Sequence, residues 1–188
     1  NLGVIDKVDG IFVTHYHDDH TNAVQAASEV FECPVYAVEN YVDILQNPGN
    51  YHMPCLHHIP IEEIIVKQDG DKLQFHEFTL TFQSFPGQTF YHGALLVEQP
   101  GQTPVFFIGD AFSPSGMDDY CVLNRNLMHN NDGFLNCLRQ IRELGENYWL
   151  INEHISHVFR FSKKELNALE SGFRERIAIV RSLSLWDD

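Results

Sequence analysis

The run His15-Tyr16-His17-Asp18-Asp19-His20 constrains this chain more than any other feature of its sequence. It follows Ile11-Phe12-Val13-Thr14, a short apolar run that predicts a buried strand ending in a loop. In an extended segment, residues two apart project to the same side, so the first two histidines can bind one ion. The turn that follows can direct Asp19 and His20 toward a neighbouring position. Imidazole and carboxylate together suit Zn²⁺ or a similar transition metal.

Two later strands also end in residues that bind metals. Phe106-Phe107-Ile108 runs into Gly109-Asp110, and Leu150-Ile151 is followed by Asn152-Glu153-His154. A Gly-Asp pair alone is typical of a turn, and a lone histidine after a strand is more often structural than a ligand. A histidine-rich loop can likewise bind nothing. Three strands that all end in ligand-type residues favour a metal site.

The remaining pattern predicts a mixed α/β fold. A strand–helix–strand unit begins the chain, with the helix over Asn22–Phe31, and successive strands follow between Ile61 and Ile108. A helical stripe ends near Gly145, and Ser162-Lys163-Lys164-Glu165 is a capping-box candidate for a final helix running to about Leu183. This order implies layered α/β packing.

Composition limits the classes of function. The 188 residues suit one domain, and no apolar run approaches the ~20 residues that a membrane span needs. The net charge of −14 argues against a nucleic-acid partner and leaves a small-molecule substrate as the expectation. The four cysteines are scattered and form no CxxC pair, which predicts buried thiols in a reducing compartment, the cytoplasm. The sequence assigns no oligomeric state.

The combination of motifs resembles the metallo-β-lactamase superfamily over nearly the whole chain. The HxHxDH motif of that family stands here as the run that begins at His15. The resemblance implies an αββα sandwich of two sheets with metals at one edge, and two ions, zinc being the expected metal with iron or manganese as alternatives. It implies the following ligands: His15, His17 and His92 for one ion, Asp19, His20 and His154 for the other, and Asp110 between them.

The chain departs from the family pattern at one place. Where the family usually has Pro-Gly-His-Thr, with the histidine as a ligand, this sequence has Pro86-Gly87-Gln88-Thr89, and His92 lies four residues beyond Gln88. A neutral amide oxygen binds Zn²⁺ far more weakly than imidazole, so His92 is predicted to supply the missing ligand. His157 competes with His154 for the last position, and His154 is favoured because it directly follows the strand.

The resemblance implies a metal-dependent hydrolase in which a hydroxide held between two ions attacks a small ester, thioester, lactone or related substrate. Asp19 would orient the nucleophile and accept a proton. The alternatives are a mononuclear iron sulfur dioxygenase and a non-catalytic, metal-stabilised binding module. Family members usually carry several strands before HxHxDH, and residues 1–188 are therefore expected to be the C-terminal part of a longer domain.

Overall fold

Two β-sheets form the centre of the fold in the computed structural model, which describes residues 7–116 and 133–182. The first sheet has three parallel strands in the order β1-β2-β3, and in the second β4 to β7 form an antiparallel meander with β8 parallel to β7. The strands are β1 (Ile11–Phe12), β2 (Val35–Val38), β3 (Ile64–Lys67), β4 (Lys72–Phe75), β5 (Phe78–Ser84), β6 (Gly93–Glu98), β7 (Val105–Phe107) and β8 (Trp149–Ile151).

Five α-helices accompany the sheets in the part of the chain that the structure describes. They are α1 (Asp18–Thr21), α2 (Val24–Phe31), α3 (Val42–Gln46), α4 (Phe134–Glu143) and α5 (Lys163–Ser182). Among the described residues, none of these helices is both long enough and apolar enough to cross a membrane.

The alternation of side chains along the strands separates the layers. On β2, the ring of Tyr36 faces Phe82 of the second sheet, with centroids 5.8 Å apart, whereas Val35 and Ala37 project to the opposite face. They belong to the same buried cluster as Val24 of α2 and the apolar side chains of α3. Helices α2 and α3 therefore cover the outer face of the first sheet.

The side chains of the second sheet also divide between its two faces. On β6, Ala94 and Leu96 belong to a buried cluster with the apolar side chains of α4 and α5, whereas Leu95, which alternates with them, packs against the cluster that contains the apolar residues of the first sheet. The order is helices, sheet, sheet, helices, which confirms the predicted four-layer αββα sandwich.

Most predicted elements are present with shifted ends. The predicted helix over Asn22–Phe31 begins at Val24, because α1 occupies the preceding turn. Strand β4 has no individual counterpart in the sequence-based prediction. The capping box is confirmed: Ser162 N donates to Glu165 Oε2 (2.7 Å), and Glu165 N donates to Ser162 Oγ (3.3 Å). Leu183 lies outside the described residues.

Candidate metal centre

The histidine motif is held between the second sheet and a loop. The amide of Gly93, at the start of β6, donates to the carbonyl oxygen of Thr14 (2.7 Å). His17 forms an isolated antiparallel bridge with Leu56 in the loop that precedes β3. Backbone contacts on both sides therefore fix the direction in which the motif leaves β1.

Four ligand-type side chains converge beside this motif. One ligand atom from each of Asp19, His20, Asp110 and His154 lies within 4.8 Å of the other three. Asp110 Oδ2 is 3.2 Å from His20 Nε2 and 3.1 Å from His154 Nε2, and Asp19 Oδ2 is 3.2 Å from His154 Nε2. Ligand atoms of a tetrahedral Zn²⁺ ion stand about 3.3 Å apart. This group, called here the carboxylate site, fits a divalent ion in both chemistry and spacing.

The first two histidines of the motif converge next to it. His15 Nε2 and His17 Nδ1 are 3.0 Å apart, and Asp110 Oδ2 is 3.8 Å from His15 Nε2. We call this pair the imidazole site. Asp110 Oδ2 lies near both sites, and its role as a bridging ligand stays a prediction.

The paths of β7 and β8 explain why Asp110 and His154 meet. The two strands are parallel neighbours, and past their ends Glu153 N still donates to the Gly109 carbonyl oxygen (3.2 Å). Both chains therefore leave the sheet at the same edge. Gly109 turns there with φ +55°, and a Cβ on it would lie 2.9 Å from His92 Nε2 and 3.0 Å from Thr14 Oγ1. Only glycine suits this conformation and this space.

The charges of the centre are coupled. Burial alone would raise the pKa of Asp110, but hydrogen bonding to His20 and the surrounding imidazoles lower it. Burial would lower the pKa of His20, yet the hydrogen bond to Asp110 and the charge of that carboxylate raise it. Burial, followed by the neighbouring His92, lowers the pKa of His15 far below its ordinary value. The centre thus holds a buried carboxylate, and the His15 ring is neutral and able to act as a ligand.

Thr14 connects the two sites, and the sequence analysis did not identify it. Its Oγ1 lies 3.1 Å from His15 Nδ1 and 3.4 Å from His20 Nδ1. A hydroxyl oxygen has two lone pairs and can accept from both Nδ1–H groups, which leaves each Nε2 as a potential ligand. The only indication of this role in the sequence was the position of Thr14 directly before the histidine motif.

Asn152 plays a similar part for His154. Its Oδ1 accepts from the backbone amide of His154 (2.7 Å), and its Nδ2 donates to the carbonyl oxygen of Phe112 (2.9 Å). These bonds fix the turn that directs His154 toward Asp110. His157 is exposed and does not belong to the carboxylate site.

Gln88 and His92 occupy different surroundings. Gln88 is buried, and its Nε2 donates to Asp110 Oδ2 (3.3 Å). His92 is completely buried, and its ring is stacked on that of His15 with centroids 4.7 Å apart. Burial lowers the pKa of His92 to about 3. The structure therefore brings Gln88 to the Asp110 carboxylate and packs the His92 ring against that of His15. The role of His92 as a ligand stays a prediction.

A cavity of about 380 Å³ opens over the centre. This volume lies in the range of small-molecule sites, about 300–1,000 Å³. The cavity is lined by His17, Asp18, Asp19, Cys55, Gln88, Asp110, Ser113, Asn152, His154 and Ile155. Substrate-sized molecules can therefore reach both sites.

Among the described residues, the other histidines belong to neither the carboxylate site nor the imidazole site. His52, His58 and His76 are exposed, and His76 pairs with Asp9 (3.4 Å). His57 is half-buried, and His129 lies outside the described residues. Of the cysteines, Cys33 and Cys137 are buried, Cys55 is exposed, and Cys121 lies outside the described residues.

Comparison of sequences finds two curated relatives. A hydroxyacylglutathione hydrolase from Marinomonas sp. (strain MWYL1) is 28% identical over 107 residues, which cover 57% of this chain and 34% of that protein. One of the same name from Pseudomonas putida (strain W619) is 28% identical over 109 residues, covering 58% and 35%. The matched segment thus spans about a third of the length of the curated relatives.

Comparison of structures finds the same fold. A B3 metallo-beta-lactamase described as having an active-site glutamic acid superposes with a TM-score of 0.67 at 16% identity, covering 93% of this chain and 71% of that one. An archaeal metallo-beta-lactamase superfamily protein from Sulfolobus tokodaii superposes with a TM-score of 0.57 at 15% identity, covering 93% and 70%. At these identities the likeness concerns the fold alone.

The sequence model of the metallo-beta-lactamase superfamily matches residues 5–150, a segment that runs from before β1 into β8. It contains the whole HxHxDH motif, the Gln88 departure and Asp110, while His154 follows just beyond it. The match covers well over half of the chain and agrees with the four-layer architecture. The chain therefore belongs to the metallo-beta-lactamase superfamily.

Proposed function

We propose that this chain is a metal-dependent hydrolase of small esters, thioesters, lactones or related substrates. The observation that supports this most is the convergence of Asp19, His20, Asp110 and His154 within 4.8 Å, beside the His15–His17 pair and beneath an open cavity. Zinc is the proposed metal because the ligands combine imidazole with carboxylate.

A divalent ion bound at such a centre polarises a substrate carbonyl and lowers the pKa of water from 15.7 to about 7. The residues of the chain divide the remaining work. The Asp110 side chain is only 6% exposed, and its Oδ2 accepts hydrogen bonds from the imidazoles of His20 and His154. Asp19 is half exposed, with 51% of its side chain accessible, so its carboxylate can orient the attacking water and accept its proton.

Thioesters are the first substrates to test. The two curated relatives are named hydroxyacylglutathione hydrolases, and a hydroxyacylglutathione is a thioester. The excess of 26 Asp and Glu over 12 Lys and Arg supports a small molecule rather than a nucleic acid. The scattered cysteines support a reducing compartment, so the cytoplasm is the proposed location.

The decisive experiment combines metal analysis with hydrolysis. The purified chain is expected to contain zinc, to be colourless, and to cleave a hydroxyacyl thioester of glutathione or a simple aryl ester. Asp110→Asn should remove most of the hydrolysis and lower the metal content, because Asp110 contacts ligands of both sites. His52→Ala is the matched control, since His52 is exposed and outside the centre.

Three results would contradict the proposal. Iron together with substrate-dependent oxygen uptake would support the dioxygenase. A folded chain that takes up no divalent metal would support the binding module. Full hydrolysis by Asp110→Asn would remove the centre described here from the reaction.

A further inference from the structure

Gln88 stands where the family motif has a histidine ligand, and it lies in the centre. Its side chain is 8% exposed and lines the cavity, and its Nε2 is 3.3 Å from Asp110 Oδ2. The position of the family's histidine ligand, beside the imidazole site, is therefore occupied by the amide of Gln88. Two imidazoles, from His15 and His17, remain to bind an ion there.

The packing of His92 does not favour it as the replacement for the missing imidazole. The His92 ring is stacked on His15, with centroids 4.7 Å apart and planes inclined by 17°. The lone pair of a ring nitrogen lies in the plane of its ring, so stacked rings direct their lone pairs along separate planes. Among the described residues, the ligand atoms that converge in a group of three or more are those of the carboxylate site, without His92.

One observation favours the competing arrangement. Neither ring nitrogen of His92 has a hydrogen-bond partner in the described part of the chain, and a buried donor without a partner is unfavourable. Coordination of an ion would satisfy one of them. However, Nε2 lies only 2.9 Å from the position of a Cβ on Gly109, so this nitrogen faces the turn before Asp110. If His92 is a ligand, the chain should bind two ions tightly, and if it is not, the chain should bind one.

We infer that the chain binds one ion tightly at the carboxylate site, and that Gln88 leaves the imidazole site with weak affinity for metal. A neutral amide is a poorer ligand for Zn²⁺ than imidazole. Loss of an outer-shell partner alone lowers metal affinity by about 10–100-fold, so an absent imidazole ligand should separate the two sites by at least about tenfold. This inference rests on the proposed function in one respect only, which is that the chain binds a metal ion.

The test is a calorimetric titration of the metal-free chain with Zn²⁺ alone, with metal counted by mass spectrometry after gel filtration. The wild type should retain about one ion per chain, and Gln88→His about two, because the added imidazole completes the imidazole site. Gln102→His is the matched control. Gln102 lies on the exposed β6–β7 turn, so a histidine there should leave the count at about one.

A second pair of variants locates the tight ion without relying on Gln88→His. His17→Ala should keep it, because His17 belongs to the imidazole site, whereas His154→Ala should lose it. The reverse result would overturn the inference. So would two tight ions in the wild type, as the His92 prediction expects, or an unchanged count in a folded Gln88→His chain. A wild type that binds no ion would overturn the proposed function as well.

Discussion

Replacing Thr14 with valine tests whether its hydroxyl positions the imidazoles of His15 and His20 for the proposed metal binding. Valine keeps the shape of the buried side chain but removes the oxygen that lies 3.1 Å from His15 Nδ1 and 3.4 Å from His20 Nδ1. Both rings then lose the contact that directs Nε2 toward the centre. Since outer-shell partners are worth about 10–100-fold in metal affinity, the Kd for Zn²⁺ should rise by that factor. This corresponds to about 1.4–2.8 kcal/mol of binding free energy.

The assay is a competition titration in which the metal-free chain and a chromophoric chelator share Zn²⁺. Thr14→Ser is the matched control, because it restores the hydroxyl without the methyl group and should recover most of the affinity. Circular dichroism of the metal-free variants separates weakened binding from loss of fold. A folded Thr14→Val chain with the wild-type Kd would refute the reasoning, and so would a serine variant as weak as the valine variant.

Three further predictions concern the turn, the last helix and the charge. Gly109→Ala should lower the free energy of unfolding by at least about 1–2 kcal/mol, because φ is +55° and the new Cβ would contact His92 and Thr14. Denaturant titration measures this change, and wild-type stability of the variant would contradict the prediction. Ser162→Ala should cost about 1 kcal/mol and lower Tm by about 2–4 °C, because the capping box of α5 is lost; an unchanged melting curve would show that the cap contributes nothing. With 12 Lys and Arg against 26 Asp and Glu, the chain should bind DNA or RNA with a Kd above about 1 µM at physiological salt. A sub-micromolar Kd measured by fluorescence anisotropy would contradict this.

The pattern of strands and helices predicted layered α/β packing, and the resemblance to the metallo-β-lactamase superfamily supplied the four-layer sandwich. Apolar residues alternate with polar ones along Phe78–Ser84, and an apolar run covers Val105–Phe107, so both strands could be predicted from local sequence. Strand β4 has only Leu73 and Phe75 as apolar residues and directly follows a turn, so its pattern is too short to stand out. Pairing with β5 in the antiparallel meander determines it instead.

The candidate site was predictable only where residue type alone carries the chemistry. Asp19 and His20 lie on α1 after β1, Asp110 and His154 follow β7 and β8, and the structure brings these four ligand-type side chains together. Thr14 and Asn152 are ordinary polar residues whose roles depend on distances across the fold. For His92, the residue type suggested a ligand. Its stacking on His15 is a tertiary contact, which no local sequence pattern can predict.

The candidate centre draws its residues from both sheets, so the proposed metal binding would be coupled to sheet packing. The imidazole site follows β1 of the first sheet, and Asp110 and His154 follow β7 and β8 of the second. Folding buries the carboxylate of Asp110 among imidazoles, two of which, those of His15 and His92, burial keeps neutral. A buried anion of this kind is unfavourable without a positive partner. A cation bound at the proposed centre would provide that partner only when both sheets are in place, and its binding free energy would then add to the stability of the packed sandwich.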